Sequence, residues 1–97
     1  MDGHYDSVEW DEHKSARTEE LRGLSFEFAA TLFLGDYVEE ESRRPTLGER
    51  RFVAIGPVED VILTVIWTPR GRARRIISAR YASRKERRRY GNRSQET

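Results

Sequence analysis

The chain contains no cysteine, which excludes a disulfide framework and any thiolate site. It has two histidines, His4 and His13, too few for a histidine-rich metal centre. Lysine is scarce as well. Of 18 cationic residues only Lys14 and Lys85 are lysine. Long hydrophobic runs are missing: the longest, Val61–Trp67 with Thr64 inside it, is far short of the ~20 residues a membrane span requires. The first ten residues, MDGHYDSVEW, have neither a basic region nor an apolar core, so no signal peptide is expected. Together these absences predict a cytoplasmic protein with no cofactor, no metal and no membrane partner.

What is present is arginine, unevenly placed. Residues 68–97 carry ten Arg and one Lys against Glu86 and Glu96, a net +9. Residues 1–67 carry 7 basic and 15 acidic residues, a net −8, so the near-neutral total hides a strong asymmetry. Such a split points to a polyanionic partner, nucleic acid above all. Solubility alone does not call for arginine, whereas bidentate contact with phosphate does. At 97 residues the chain is expected to be one domain with room for one core and little for a deep pocket. Its function therefore belongs on a surface or in a shallow groove.

In chain order, residues 5–10 predict a short strand. Asp11 then caps a polar helix over about 12–22, stopped by Gly23. Ser25 caps a second helix through Leu34, with Phe26, Ala29, Ala30, Phe33 and Leu34 as its apolar stripe. Residues 35–48 read as loop, with a solvated acidic patch at Glu39–Glu41. Strands follow at 50–55, at 61–67 and, after a hairpin connection at 68–73, at 74–81. Along the last strand, alternation places Arg74, Ile76, Ser78 and Arg80 on one face and Arg75, Ile77, Ala79 and Tyr81 on the other. Tyr81 is expected to pack under a last helix. That helix, opened by the Ser83–Glu86 capping box, runs through about Tyr90 before a frayed tail at 91–97. The order β-α-α-β-β-β-α predicts a single α+β domain over 1–97, an antiparallel sheet with its helices on one face.

Several separated blocks share a pattern: Trp10-Asp11-Glu12 with Lys14; Arg22-Gly23-Leu24-Ser25-Phe26-Glu27; Arg51-Phe52-Val53 with Ile55-Gly56; Arg75-Ile76-Ile77-Ser78-Ala79-Arg80 with Ala82; and Glu86-Arg87 with Tyr90. This pattern resembles the BrnT family of ribonuclease toxins from bacterial type II toxin–antitoxin pairs, over roughly residues 8–90. The resemblance implies a RelE-like fold and ribosome-independent cleavage of RNA. It implies as partner a ribbon-helix-helix antitoxin of the BrnA kind, through which alone operator DNA would be bound. The family usually reads Lys-His-Gly where this chain has Leu21-Arg22-Gly23, and asparagine where it has Thr18.

Metal-free RNA cleavage needs a base for the 2′-OH, a cation for the charge developing on the phosphate, and an acid for the leaving oxygen. Arginine suits the second role and, staying protonated, not the first. The candidate catalytic residues are Lys14, Arg22, Arg70, Ser78 and Arg80, with Lys14 or an acid such as Glu12 left to move the proton. The candidate substrate-binding residues are Arg74, Arg75, Arg84, Arg87 and Arg88. Each has a plainer reading: Arg80 as half of a structural ion pair, Arg70 as a turn charge, Arg22 as the favoured cation at a helix C-terminus. A second functional reading stays open beside the first, an RNA- or protein-binding module on the same scaffold whose nuclease is impaired because Arg22 stands in place of histidine.

Overall fold

A computed structural model describes residues 5–43 and 48–92. The elements are β1 (Ser7–Glu9), α1 (Glu12–Arg22), α2 (Phe26–Ala30) continuing into a 3-10 segment (Thr31–Leu34), β2 (Val38–Glu41), β3 (Phe52–Val58), β4 (Val61–Arg70), β5 (Ala73–Tyr81) and α3 (Arg84–Asn92). They form one α+β domain around a five-stranded sheet in the order β1-β5-β4-β3-β2.

The helix boundaries follow the capping chemistry. The Asp11 carboxylate accepts from the backbone N–H groups of His13 and Lys14 at 2.8 and 3.3 Å, and Gly23 ends α1 at φ 69°. The α1 helix is polar and lies outside; only Ser15 is buried, and its hydroxyl accepts from Phe26 N–H at 2.9 Å, tying α1 to α2. At the other end of the chain the Ser83–Glu86 box is formed, with Ser83 N–H donating to Glu86 Oε1 at 2.8 Å and Glu86 N–H to Ser83 Oγ at 3.2 Å.

The second helix departs from the expected stripe. After Ala30 it tightens to three residues per turn, which stacks positions three apart. Phe26, Ala29 and Leu32 are therefore the buried residues, while Leu34 is 87% exposed.

The sheet differs from the expectation in three ways. Val38–Glu41, read from sequence as loop, is an edge strand: its acidic residues blunt a free edge, and it pairs antiparallel with β3. Gly56 and Pro57 lie inside β3, and the turn comes at Glu59, with φ 54°. The sheet is mixed rather than wholly antiparallel, because β1 joins β5 in parallel, Val8 opposite Arg74. The β4–β5 connection is a tight turn at Gly71 and Arg72, with Gly71 at φ 61° and Arg70 opposite Ala73.

Helices lie on both sides, not on one. Leu24, Phe26, Ala29 and Leu32 pack with Ala54, Val65, Trp67, Ile76 and Ala79 on one face. On the other, α3 holds Thr64, Arg80 and Glu40 through its own side chains. None of its own residues is fully buried, and these polar contacts help to seat it on the sheet. It reaches Asn92; the rest of the expected tail, 93–97, lies outside the described residues.

Gly56 marks where the chain before β2 crosses β3. A Cβ there would fall 2.6 Å from Asp36 O and 2.7 Å from Tyr37 Cβ, whereas one at Gly35 would meet nothing within 4 Å. Gly56→Ala should cost about 1–3 kcal/mol of stability, the range of an overpacked site. Gly35→Ala should leave the urea midpoint nearly unchanged; equal midpoints for the two variants would contradict the close crossing.

Candidate functional site

The expected alternation along β5 breaks in the middle. Ser78 pairs with Ile66 but Ile76 pairs with Trp67, so Ile77 is an extra residue without a partner. Ile76 and Ala79, three apart, therefore both enter the same core. Arg74 is on the α1–α2 face with them. Ser78 and Arg80 do share a face, as expected, but it is the opposite one from Arg74 and Ile76, and Arg75 sits on it too. Tyr81 lies opposite Leu63 on the α1–α2 side and is 47% exposed, so it does not pack under α3.

Arg80 is the centre of a polar knot. Its guanidinium donates to both oxygens of Glu86 at 2.7 and 2.8 Å, a bidentate pair. Glu86 also accepts from the hydroxyl of fully buried Thr64 at 2.9 Å. The Arg80 hydrogen bonds, followed by those from Ser83 and Thr64, hold the Glu86 carboxyl at about 2. The same carboxylate raises the pKa of Arg80. Arg80 thus realises its plainer reading, a structural pair, with a helix rather than with a neighbouring strand.

Arg74 is likewise committed. Its guanidinium lies over the rings of Phe33, Tyr5 and Trp67 at 4.5, 5.1 and 5.2 Å and donates to Tyr37 Oη at 3.0 Å. Nearby, Trp67 Nε1–H donates to Glu39 at 2.8 Å; Glu39 is exposed as a residue, yet burial of its carboxylate raises its pKa. Arg75 pairs with Glu9 at 2.9 Å, and Arg72 pairs with Asp6. Arg89 reaches Glu40 at 3.1 Å. The basic half of the chain is in this way folded against the acidic half. Arg87 spends a donor on the Ala82 carbonyl at 2.9 Å.

Fewer cations remain. Among the described residues, no hydrogen bond or ion pair involves the side chains of Arg70, Arg84, Lys85 and Arg88, all exposed. Arg84 and Arg88 are one helical turn apart on α3 and share a face with Lys85 close by. Lys14 is exposed on α1 and its side chain is also without a partner. Arg22 donates to the Ala79 carbonyl at 2.8 Å, on the stretch of β5 beyond the reach of β1. Arg70, at the hairpin tip, is seven residues of strand from Arg80 by way of its partner Ala73, roughly 20 Å. Lys14 and Arg22 are separated by about 12 Å along α1. The expected catalytic set therefore does not converge on a single phosphate; Ser78 and Arg80 share one face, and Arg22 approaches the same strand from its other side.

Sequence reasoning missed Glu86 as the partner of Arg80, although its capping role was visible. It also missed the stack of Arg50, Phe52 and Trp67, with Phe52 parallel to Trp67 at 4.8 Å and Arg50 over Phe52 at 5.1 Å. Nothing in the sequence announces that stack, because it depends on which residues pair across β3 and β4. Among the described residues, no group of three or more His, Asp or Glu is placed to hold a metal ion, and no helix is long and apolar enough to cross a membrane.

Fold and surface thus define a small α+β protein that offers arginine on exposed surfaces. The comparison with protein families gives the assignment: residues 10–86 match the model of the ribonuclease toxin BrnT of type II toxin–antitoxin systems, and the chain belongs to that family. No curated protein matches the chain.

The Glu86 knot has a pH signature. Its carboxyl is depressed from 4.5 to about 2, so the stability it contributes is complete above pH ~4.5 and is lost as pH falls toward 2. Glu86→Gln should cost on the order of 2 kcal/mol at pH 7, allowing for solvent at the partly exposed Arg80. Denaturant midpoints of parent and variant should converge between pH 5 and pH 2; a gap that stays constant there would contradict the assignment.

Proposed function

We propose that the chain is an endoribonuclease toxin that cuts RNA without a ribosome or a metal and is silenced in the cytoplasm by a ribbon-helix-helix antitoxin. The family match over residues 10–86 carries this reading. Arginine chemistry supports it: the 2′-hydroxyl gives up its proton and attacks the adjacent phosphorus, the bond from phosphorus to the 5′-oxygen breaks, that oxygen takes up a proton, and guanidinium groups stabilise the charge that develops on the phosphate oxygens. Arg22, exposed and close to the Ala79 carbonyl, is the proposed charge-holding group, and Lys14, about 12 Å away along α1, is proposed to hold a neighbouring phosphate of the same strand. Ser78 and Arg80 flank the strand from the opposite face. The unpaired row Arg84, Lys85 and Arg88 is the proposed track for the RNA backbone. Arg74, Arg75 and Arg87, spent on internal partners, contribute less to binding than they do to the fold.

One observation favours a second reading. Arg22 occupies the position of the usual family histidine and donates to a backbone carbonyl, and a guanidinium cannot exchange protons near neutral pH. A chain so built binds RNA or a protein partner without cutting. The test is cleavage of total RNA by purified protein in excess EDTA. The parent should cut; Arg22→Ala should lower the rate at least tenfold, and Arg22→Lys should keep part of it. Arg22→His should add a group titrating near ~6.5 to the pH–rate profile. A silent parent with an active Arg22→His variant would establish the second reading instead.

The antitoxin should cover the outer face of α3. Arg84→Glu with Arg88→Glu should weaken the complex at least tenfold in a calorimetric titration, because both charges are unpaired and their reversal leaves the Glu86 knot in place. An unchanged affinity would place the antitoxin elsewhere.

A further inference from the structure

At the hairpin end of the sheet, away from α3, there is a cleft of about 370 Å³ lined by Tyr5, Gly48, Glu49, Arg50, Thr68 and Pro69. Its size falls within the range of small-ligand sites, about 300–1,000 Å³. We infer that this cleft is a base-binding subsite that holds one unstacked guanine of the RNA, a proposal that rests on the RNA-directed reading above.

Two of its walls are planar π systems fixed from behind. Tyr5 meets Trp67 edge-on at 5.2 Å. The Arg50 guanidinium lies over Phe52, which stacks on Trp67, and Glu41 grips it by two hydrogen bonds of 2.9 and 3.1 Å. Trp67 is 2% exposed, so both walls are anchored in the core rather than free to collapse. An aromatic ring and an arginine plane are the surfaces on which unpaired bases stack.

The polar groups narrow the ligand. Glu49 brings a carboxylate, held by Arg51 at 3.0 Å, while Thr68, 3% exposed, donates its hydroxyl to the Arg50 carbonyl at 2.6 Å and so fixes the backbone behind the arginine wall. A carboxylate in the cleft disfavours a bare phosphate, and a guanidinium disfavours a simple amine. A flat heterocycle with donors on one edge and acceptors on another satisfies both. Guanine fits: stacked between the two walls, it turns its N1–H and N2–H groups to the two oxygens of the carboxylate. The phosphate of the same nucleotide then has a cation near at hand in Arg70, next to Pro69 at the hairpin tip and without a partner among the described residues.

The test is a titration of the full chain with the four 5′-nucleoside monophosphates, followed by amide chemical shifts. GMP should move Tyr5, Arg50 and Thr68 and bind at least tenfold more tightly than UMP. Glu49→Gln should reduce the GMP-to-AMP affinity ratio about tenfold. Arg50→Gln, at an exposed side chain whose loss leaves the core intact, should weaken binding of every base about tenfold. Equal affinity for all four nucleotides, or shifts confined to α3, would overturn the proposal. If the protein cuts RNA yet shows no base preference and no shifts in the cleft, the subsite falls and the ribonuclease reading stands. If it neither cuts nor binds RNA, both fall.

Discussion

One extra residue in β5 sets the placement of the two arginines that tie the layers together, Arg74 and Arg80. Without Ile77, strict alternation would put Arg74 and Arg80 on the same face of the sheet, a continuous basic stripe. With it, Arg74 turns into the aromatic cluster of Tyr5, Phe33 and Trp67, and Arg80 turns toward α3. Each guanidinium then acts as a fastener for a different layer. Arg74 bridges β1, the 3-10 segment and the sheet, whereas Arg80 locks the start of α3 through Glu86. That lock matters because none of the residues of α3 is itself fully buried.

The same folding step cancels much of the charge asymmetry. Asp6, Glu9 and Glu40 from the acidic half meet Arg72, Arg75 and Arg89 from the basic half. Exposed pairs of this kind are each worth about 0–1 kcal/mol, so their effect on stability is modest. Their effect on function is larger. Among the described residues they leave several cations without a partner and far apart, among them Arg84, Lys85 and Arg88 on α3, Arg70 at the hairpin tip, and Lys14 and Arg17 on α1. A long polyanion can touch more than one of these groups, and a single phosphate cannot.

The sequence made the local chemistry legible and the long-range pairing much less so. Asp11, Gly23 and the Ser83–Glu86 box delimit their helices because capping needs only neighbours within four residues. The β-branched run of β4 declares a central strand by composition alone. The family blocks, lying at separated positions, carried the fold and the class of activity. The edge strand at Val38–Glu41 was hidden by three consecutive glutamates, which read as solvated until Arg50, Trp67 and Arg89 are brought to them. The extra residue at Ile77 was equally invisible, since Arg-Arg-Ile-Ile-Ser-Ala-Arg alternates as well without it. The faces assigned to Arg74 and Ile76 were wrong for that reason. Among the candidate site residues, Arg80 and Arg75 were legible as cations of β5, but their acidic partners come from a following helix and from a strand about 66 residues away in sequence.

Most arginines of the basic half are already committed within the protein: Arg72, Arg74, Arg75, Arg80, Arg87 and Arg89 each hold an internal partner. The slope of log K against log salt for single-stranded RNA measures this directly, at about −0.7 for each phosphate neutralised. Three or four free cations in the RNA track predict a slope of about −2 to −3. A slope near −7 would mean that the internally paired arginines are released to the RNA as well, and would contradict the account.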